Sequence, residues 1–145
     1  VNKPVTIIMI EDDHGHARLI ERNIRRAGVT NEITHFEDGS SALEYFRRIE
    51  NEPADMNPIL VLLDLNLPDM SGIDILEYLK NDGHLRIAPV IVLTTTDDQL
   101  EIRRCYDLGC NVYITKPVDY EQFAVAIRQL GLFFSVIKVP DPLNA

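Results

Sequence analysis

An α/β fold, with a parallel sheet covered by helices on both faces, is what this sequence predicts, and three observations predict it. Short apolar runs recur along the chain: VTIIMI at 5–10, ILVLL at 59–63, PVIVLT at 89–94 and VYIT at 112–115. Runs so short and so continuously apolar fit strands buried on both faces, as in a parallel sheet, better than half-exposed strands, which alternate. Segments with apolar residues at helical spacing separate the runs, so strand and helix alternate. The runs also end in polar side chains, Glu11 and Asp12 after the first and Asp64 after the third. That is the carboxyl edge where open α/β sheets gather their ligands.

Taken in order, 5–10 is the first strand. Residues 15–27 place Ala17, Ile20, Ile24 and Ala27 on one helical face, and Gly28 stops that helix. Residues 32–36 form a brief second strand. Asp38 and Gly39 turn the chain, and Ala42, Leu43, Phe46 and Ile49 mark a second helix. Residues 51–58 (NEPADMNP), with two prolines among polar residues, read as a loop. The third strand, 59–63, ends at Asp64. Asn66, Pro68, Asp69, Ser71 and Gly72 make the following loop, and 73–79 is amphipathic. The fourth strand, 89–94, ends in the hydroxyls of Thr94, Thr95 and Thr96. A fourth helix spans 98–108, with Gly109 as its stop. The fifth strand, 112–115, ends at Lys116 and Pro117. A long fifth helix runs from Tyr120 to about Val139, and the tail PDPLNA reads as extended or disordered.

This is a (βα)5 pattern without internal repeat, expected to form one domain over 1–145 with its core at about 5–139 and a tail at 140–145. Right-handed crossovers place helices on both faces. The flavodoxin-like strand order 2-1-3-4-5 is the candidate topology, with its switch point between strands one and three. Those are the two strands that end in acids.

At 145 residues the chain can bury a core without disulfide staples. A composition of 46% hydrophobic and 26% charged residues is that of a globular protein rather than a disordered one. The formal net charge of −9 argues against nucleic acid or an anionic membrane as the main partner, since both need basic patches. It leaves room for an acid cluster, which favours a divalent cation. Cys105 and Cys110 have no zinc-ligand companions and read as reduced thiols of a cytoplasmic protein. No signal peptide and no apolar run of spanning length is expected.

Four strand ends thus converge on one rim: Glu11 and Asp12, Asp64, Thr94, and Lys116. Hard carboxylate oxygens select Mg2+, which keeps several waters and pairs with phosphate oxygens. A hydroxyl and an ammonium suit the remaining phosphoryl oxygens. A carboxylate flanked by metal and lysine can act as nucleophile and form an acyl phosphate. Catalysis would then be positioning and charge neutralisation. Asp13 reads as a helix-terminal acid rather than a third ligand. His14 and His16, near these acids, raise a transition-metal site as an alternative to surface histidines, though their i, i+2 spacing on a loop is unspecific, and His35 and His84 carry no motif.

With IMIEDD at strand one, LVLLDLNLPDMSG at strand three, PVIVLT at strand four and YITKP at strand five, the chain resembles the receiver domains of two-component response regulators from about Val5 to Val139. The resemblance implies Asp64 as phosphoacceptor and Asp12 as direct Mg2+ ligand. It implies Glu11 acting on the metal through water, and the Asn66 backbone carbonyl as a further ligand. It also implies Thr94 as the hydroxyl that turns toward the phosphoryl group, Lys116 as the phosphate-pairing lysine, Tyr113 as the switch aromatic, and a cis peptide at Lys116–Pro117. Three features depart from the family pattern: Thr95 where a very small residue is usual, Thr96 two positions beyond Thr94, and the long 51–58 loop. No effector domain is expected to follow. The loop, the LTT of strand four and the apolar last helix are most similar to stand-alone receivers serving bacterial phytochrome histidine kinases. The implied partner is such a kinase, and the chain is expected not to be an enzyme beyond its own phosphotransfer and dephosphorylation.

Two alternatives stand beside this. A haloacid-dehalogenase-like Mg2+ phosphohydrolase would need a second Asp two residues after the first, where this chain has Asn66. A receiver-like module that binds partners without phosphate is opposed by the intact acid, threonine and lysine set. In the last helix, Phe123, Ile127, Leu130, Phe134 and Ile137 form an inward stripe. Val125, Leu132, Phe133 and Val136 lie on another side, covered either by the domain's own neighbours or by another protein. A homodimer with Leu132, Phe133 and Val136 in its interface is the expectation.

Overall fold

Strand burial divides the sheet into centre and edge. In the computed structural model, which describes residues 4–81, 83–117, 119–134 and 139 (backbone only at 132–134), five strands alternate with five helices. The strands are β1 (Thr6–Ile10), β2 (Ile33–Phe36), β3 (Ile59–Leu63), β4 (Val90–Thr94) and β5 (Val112–Thr115). The helices are α1 (His14–Arg26), α2 (Gly39–Asn51), α3 (Gly72–Leu79), α4 (Gln99–Leu108) and α5 (Tyr120–Phe134). Every residue of β1, β3 and β4 is buried, whereas β2 and β5 are only partly covered. The order is β2-β1-β3-β4-β5 and all four pairings are parallel, so the expected topology is the observed one.

Successive strand residues point to opposite faces, which splits the core in two. Ile8, Val61 and Val92 pack with Phe46, Ile75 and Cys105 under α2, α3 and α4. Met9, Leu62 and Ile91 pack with Ile24, Phe123 and Ile127 under α1 and α5. Each fully buried side chain of this size is worth about 1.5–3 kcal/mol relative to exposure, so both helical layers are held mainly by the sheet's apolar faces.

The helix ends follow from capping chemistry. Asp13, Asp38, Ser71 and Asp98 sit at the N-caps of α1 to α4, each side chain accepting a backbone N–H of the first turn. Asp13 is thus the helix-terminal acid expected of it. Gly28 (φ 90°) and Gly109 (φ 110°) take the left-handed conformation that ends α1 and α4. The 51–58 segment is less loose than its composition suggests: Pro53–Asp55 makes a 3-10 turn and Met56 is buried. Cys105 and Cys110 are both free and buried.

One expectation is corrected. Lys116–Pro117 is trans, with no cis peptide bond among the described residues. Trans is the intrinsically favoured form even before proline. The trans path already brings the Lys116 N–H to the Thr94 carbonyl at 2.7 Å and its ammonium to the acids, so no cis bond is needed for reach. In α5, Phe123, Ile127 and Leu130 face inward as expected, and Val125 is half exposed. The expected interface at Leu132, Phe133 and Val136 lies outside the described side chains. No helix among the described residues is long and apolar enough to cross a membrane.

Candidate functional site

Parallel register brings the reactive strand ends together. Ile10 pairs with Leu63, Leu63 with Val92, and Thr94 with Thr115. The residues just beyond therefore share one rim. Asp64 continues the ladder, its N–H donating to the Ile10 carbonyl at 3.0 Å. Its carboxylate is buried, with Oδ1 accepting the Asn66 backbone N–H at 3.0 Å and Oδ2 accepting the Lys116 ammonium at 2.9 Å. Glu11, also buried, accepts the same ammonium through Oε1. Asp12 is exposed at the mouth of the site. One oxygen from each of Glu11, Asp12 and Asp64 fits within 4.8 Å of the others.

Burial and charge push the two buried acids in opposite directions. Burial lifts Glu11 from its ordinary 4.5 to about 7, outweighing the pull of Lys116. Burial also acts upward on Asp64, but the Asn66 N–H and the Lys116 ammonium together outweigh it and hold Asp64 below the usual carboxylate range. The metal-free cluster therefore favours the charged form of Asp64, the side chain at the end of the central strand, and makes Glu11 much the readier of the two to take up a proton. Two buried carboxylates and one water-exposed carboxylate make a hard oxygen donor set. It fits a divalent cation that retains some of its waters. The histidines take no part in that set: His14 Nε2 lies 2.9 Å from Glu37 Oε1, and His35 Nε2 lies 2.7 Å from the Glu11 carbonyl.

Thr94 is fully buried, and its hydroxyl accepts the Asn66 side-chain amide at 3.3 Å. The same amide nitrogen lies 3.4 Å from the Thr95 hydroxyl and 3.2 Å from that of Thr96. An amide has two hydrogens, so three hydroxyls share two bonds and the loop after β4 is tethered to the loop after β3. Tyr113 is half-buried on β5, and its phenol donates to the Thr96 carbonyl at 2.6 Å. Burial pushes that phenol well above its ordinary range.

The loop after Asp64 is closed tightly. The Gly72 N–H donates to the Leu65 carbonyl at 2.9 Å. A Cβ at Gly72 would stand 2.4 Å from the Asp64 carbonyl oxygen and 2.7 Å from Leu65 Cα, so only glycine lets α3 begin there. Asp69 crosses to the start of α2, accepting the Gly39 N–H at 2.8 Å, the Ser40 N–H at 2.9 Å and the Ser40 hydroxyl at 2.5 Å. These bonds, the Ser40 hydroxyl first, hold Asp69 down at about 2.

The structure brings Glu11, Asp12, Asp64 and Lys116 together at the rim, with Thr94 beside them through the Asn66 side-chain amide and Tyr113 bonded to the loop after β4. Sequence reasoning missed three features. The Asn66 amide tether and the Asp69 crossing are side-chain bonds between loops, with no periodic signal. His16 was assigned to the surface, yet its Nδ1 lies 3.2 Å from the Lys116 ammonium.

Comparison with known proteins agrees with this geometry. Residues 7–128 match the sequence profile described as the response regulator receiver domain. A crystal structure of a response regulator receiver domain from Rhodospirillum rubrum superposes with TM-score 0.89 at 67% identity, covering 94% of this chain and 97% of that one. Response regulator Rcp1 of Synechocystis sp. is 33% identical over 136 residues, 92% of this chain and 90% of its own. A structure of Rcp1 in its Mn2+-bound form superposes with TM-score 0.86 at 27% identity, covering 94% and 99%. The phosphorylated cyanobacterial phytochrome response regulator RcpA superposes with TM-score 0.84 at 33% identity, covering 97% and 99%.

Proposed function

This chain belongs to the family of response regulator receiver domains, signalling domains of two-component systems that bind a divalent metal and work with histidine kinases, and on that premise we propose that it accepts a phosphoryl group on Asp64. The observation that carries the reading is the ionised Asp64 carboxylate, 2.9 Å from Lys116 and beside the carboxylates of Glu11 and Asp12. An Asp64 oxygen attacks the phosphorus of a phosphohistidine, the P–N bond breaks, and the imidazole leaves with the bonding electrons. Lys116, already at Asp64, pairs with a phosphoryl oxygen, and the Thr94 hydroxyl turns from Asn66 toward another. Mg2+, held by Glu11, Asp12, Asp64 and the Asn66 carbonyl, would neutralise charge on the transferring group. The phosphohydrolase alternative is not favoured, because Asn66 stands where its second acid would be and is engaged with the threonines.

The likeness to RcpA, a cyanobacterial phytochrome response regulator, supports a bacterial phytochrome histidine kinase as the donor. Incubation with such an autophosphorylated kinase and Mg2+ is expected to move the label to this chain. Chelator, or Asp12→Ala, is expected to slow transfer by about 100-fold or more. Undiminished transfer in chelator would exclude the metal site. In the same samples, amide shifts around Tyr113 report whether Thr94 and Tyr113 act together as a switch, a population shift between two states. Unmoved shifts would separate Tyr113 from the phosphoryl group.

The rest of the reading is a single cytoplasmic domain over 1–145 that catalyses only its own phosphorylation and dephosphorylation. It binds neither nucleic acid nor membrane and forms a homodimer through Leu132, Phe133 and Val136. The net charge of −9 supports the first exclusion and the apolar segment GLFFSVIKV supports the dimer. Sedimentation at high micromolar concentration is expected to show a dimer, and a monomer there would remove it.

A further inference from the structure

We propose that His16 is a positioning residue for the phosphoryl chemistry, acting through Lys116 as the third hydrogen-bond acceptor of its ammonium. The proposal rests on the reading of Asp64 as phosphoacceptor. An ammonium has three N–H donors and no lone pair. Lys116 is buried, and a donor left unpaired there carries a desolvation cost. Glu11 Oε1 and Asp64 Oδ2 accept two of the three bonds. His16 Nδ1, at 3.2 Å, is placed for the third.

The bond sets the state of the ring. Because Lys116 can only donate, the imidazole presents a lone pair at Nδ1, and its ring proton sits on Nε2. The ring is oriented by packing: it stacks on Phe123 with centroids 5.4 Å apart and planes at 20°, and meets Tyr120 at 6.2 Å. Asp13 caps the helix at this point by accepting the His16 backbone N–H at 2.9 Å. Thus α1 supplies the acceptor and α5 the surface that holds its plane. A lysine stem with two acceptors can still turn about its last bonds. A third acceptor on a fixed ring removes that freedom and aims the remaining two N–H groups at the carboxylates. When Asp64 becomes an acyl phosphate and its oxygen changes partners, His16 is the acceptor that stays in place.

Two variants separate positioning from packing. His16→Phe keeps the stack on Phe123 and puts a C–H where the lone pair was. His16→Asn gives up the ring and can place an amide oxygen near the Nδ1 position. Phosphorylation by acetyl phosphate and Mg2+, followed by intact-protein mass, is expected to slow by about tenfold in His16→Phe and to stay within about twofold of the unsubstituted protein in His16→Asn. A slow His16→Asn beside a normal His16→Phe would mean that the ring only packs, and would overturn the proposal. Nitrogen-15 shifts of the unsubstituted protein give a reading independent of folding in the variants. Nδ1 is expected as the unprotonated and Nε2 as the protonated nitrogen, and a protonated Nδ1 would overturn the proposal. If the unsubstituted protein takes no phosphoryl group at all, the reading of Asp64 fails, and the nitrogen-15 spectrum still decides the His16–Lys116 bond.

Discussion

Asp64→Asn is expected to abolish phosphorylation by acetyl phosphate or by the kinase, a loss of about a thousandfold or more, while the domain stays folded. The carboxamide has the shape of the carboxylate and can still accept the Asn66 N–H through its oxygen. It lacks the anionic oxygen that attacks phosphorus, and it turns an NH2 group toward Lys116. The ammonium retains Glu11 and His16 as acceptors, so the cluster does not lose its cohesion. Removing the Asp64 charge from beside Glu11 and Asp12 also relieves repulsion. Stability is therefore expected to change by no more than about 1 kcal/mol. Intact mass with a parallel melting curve checks both halves. A phosphorylated Asp64→Asn protein would identify another acceptor, and an unfolded one would show that the carboxylate is structural.

Lys116→Met is expected to have the largest effect on stability, and a pH-dependent one. Losing one partner of a buried ion pair costs about 3–5 kcal/mol when the other charge stays ionised. Here two buried carboxylates lose their shared cation. In the unsubstituted, metal-free protein, Glu11 is raised from 4.5 to about 7. Between those values the folded state holds a proton that the unfolded state has released, so the stability contributed by Glu11 falls as pH rises through that window. Lys116 lowers both acids. Its removal raises both, and carries the decline to higher pH. In chelator, the variant is expected to lie close to the unsubstituted protein at about pH 5 and several kcal/mol below it at about pH 8. Mg2+ should restore part of the loss, since a cation would replace the missing charge. Urea melts at the two pH values check this. A gap of equal size at both would mean that Lys116 stabilises through its alkyl packing rather than its charge.

The two expectations differ in how far they could be read from the chain. That Asp64 ends a buried strand and faces the carboxyl rim followed from ILVLLD, because strand burial and turn chemistry are local properties of a few successive residues. That Lys116 is itself buried, and bonded to two acids, one 52 and the other 105 residues away, did not. Its position at the end of β5 was legible, but the direction of a flexible side chain depends on what packs around it. The same holds for Asn66. Its loop was evident from the polar residues and Pro68, whereas its amide bonds to three threonines 28 to 30 residues later exist only once β3 and β4 lie side by side.

By itself the sequence determined the five strands and five helices, their order in the sheet, the glycine stops at Gly28 and Gly109, and the rim on which Glu11, Asp12, Asp64, Thr94 and Lys116 meet. Periodicity, capping residues and the handedness of crossovers carry that information, and all of them act along the chain or through the backbone. Tertiary structure alone decided that Asp64 is held toward its charged form while Glu11 is raised toward its protonated one, because those shifts depend on burial and on one shared ammonium. It decided the trans peptide before Pro117. It also placed His16, which the chain separates from Lys116 by 100 residues, within hydrogen-bonding distance of it, because α1 and α5 pack on the same face of the sheet and Phe123 holds the imidazole in plane.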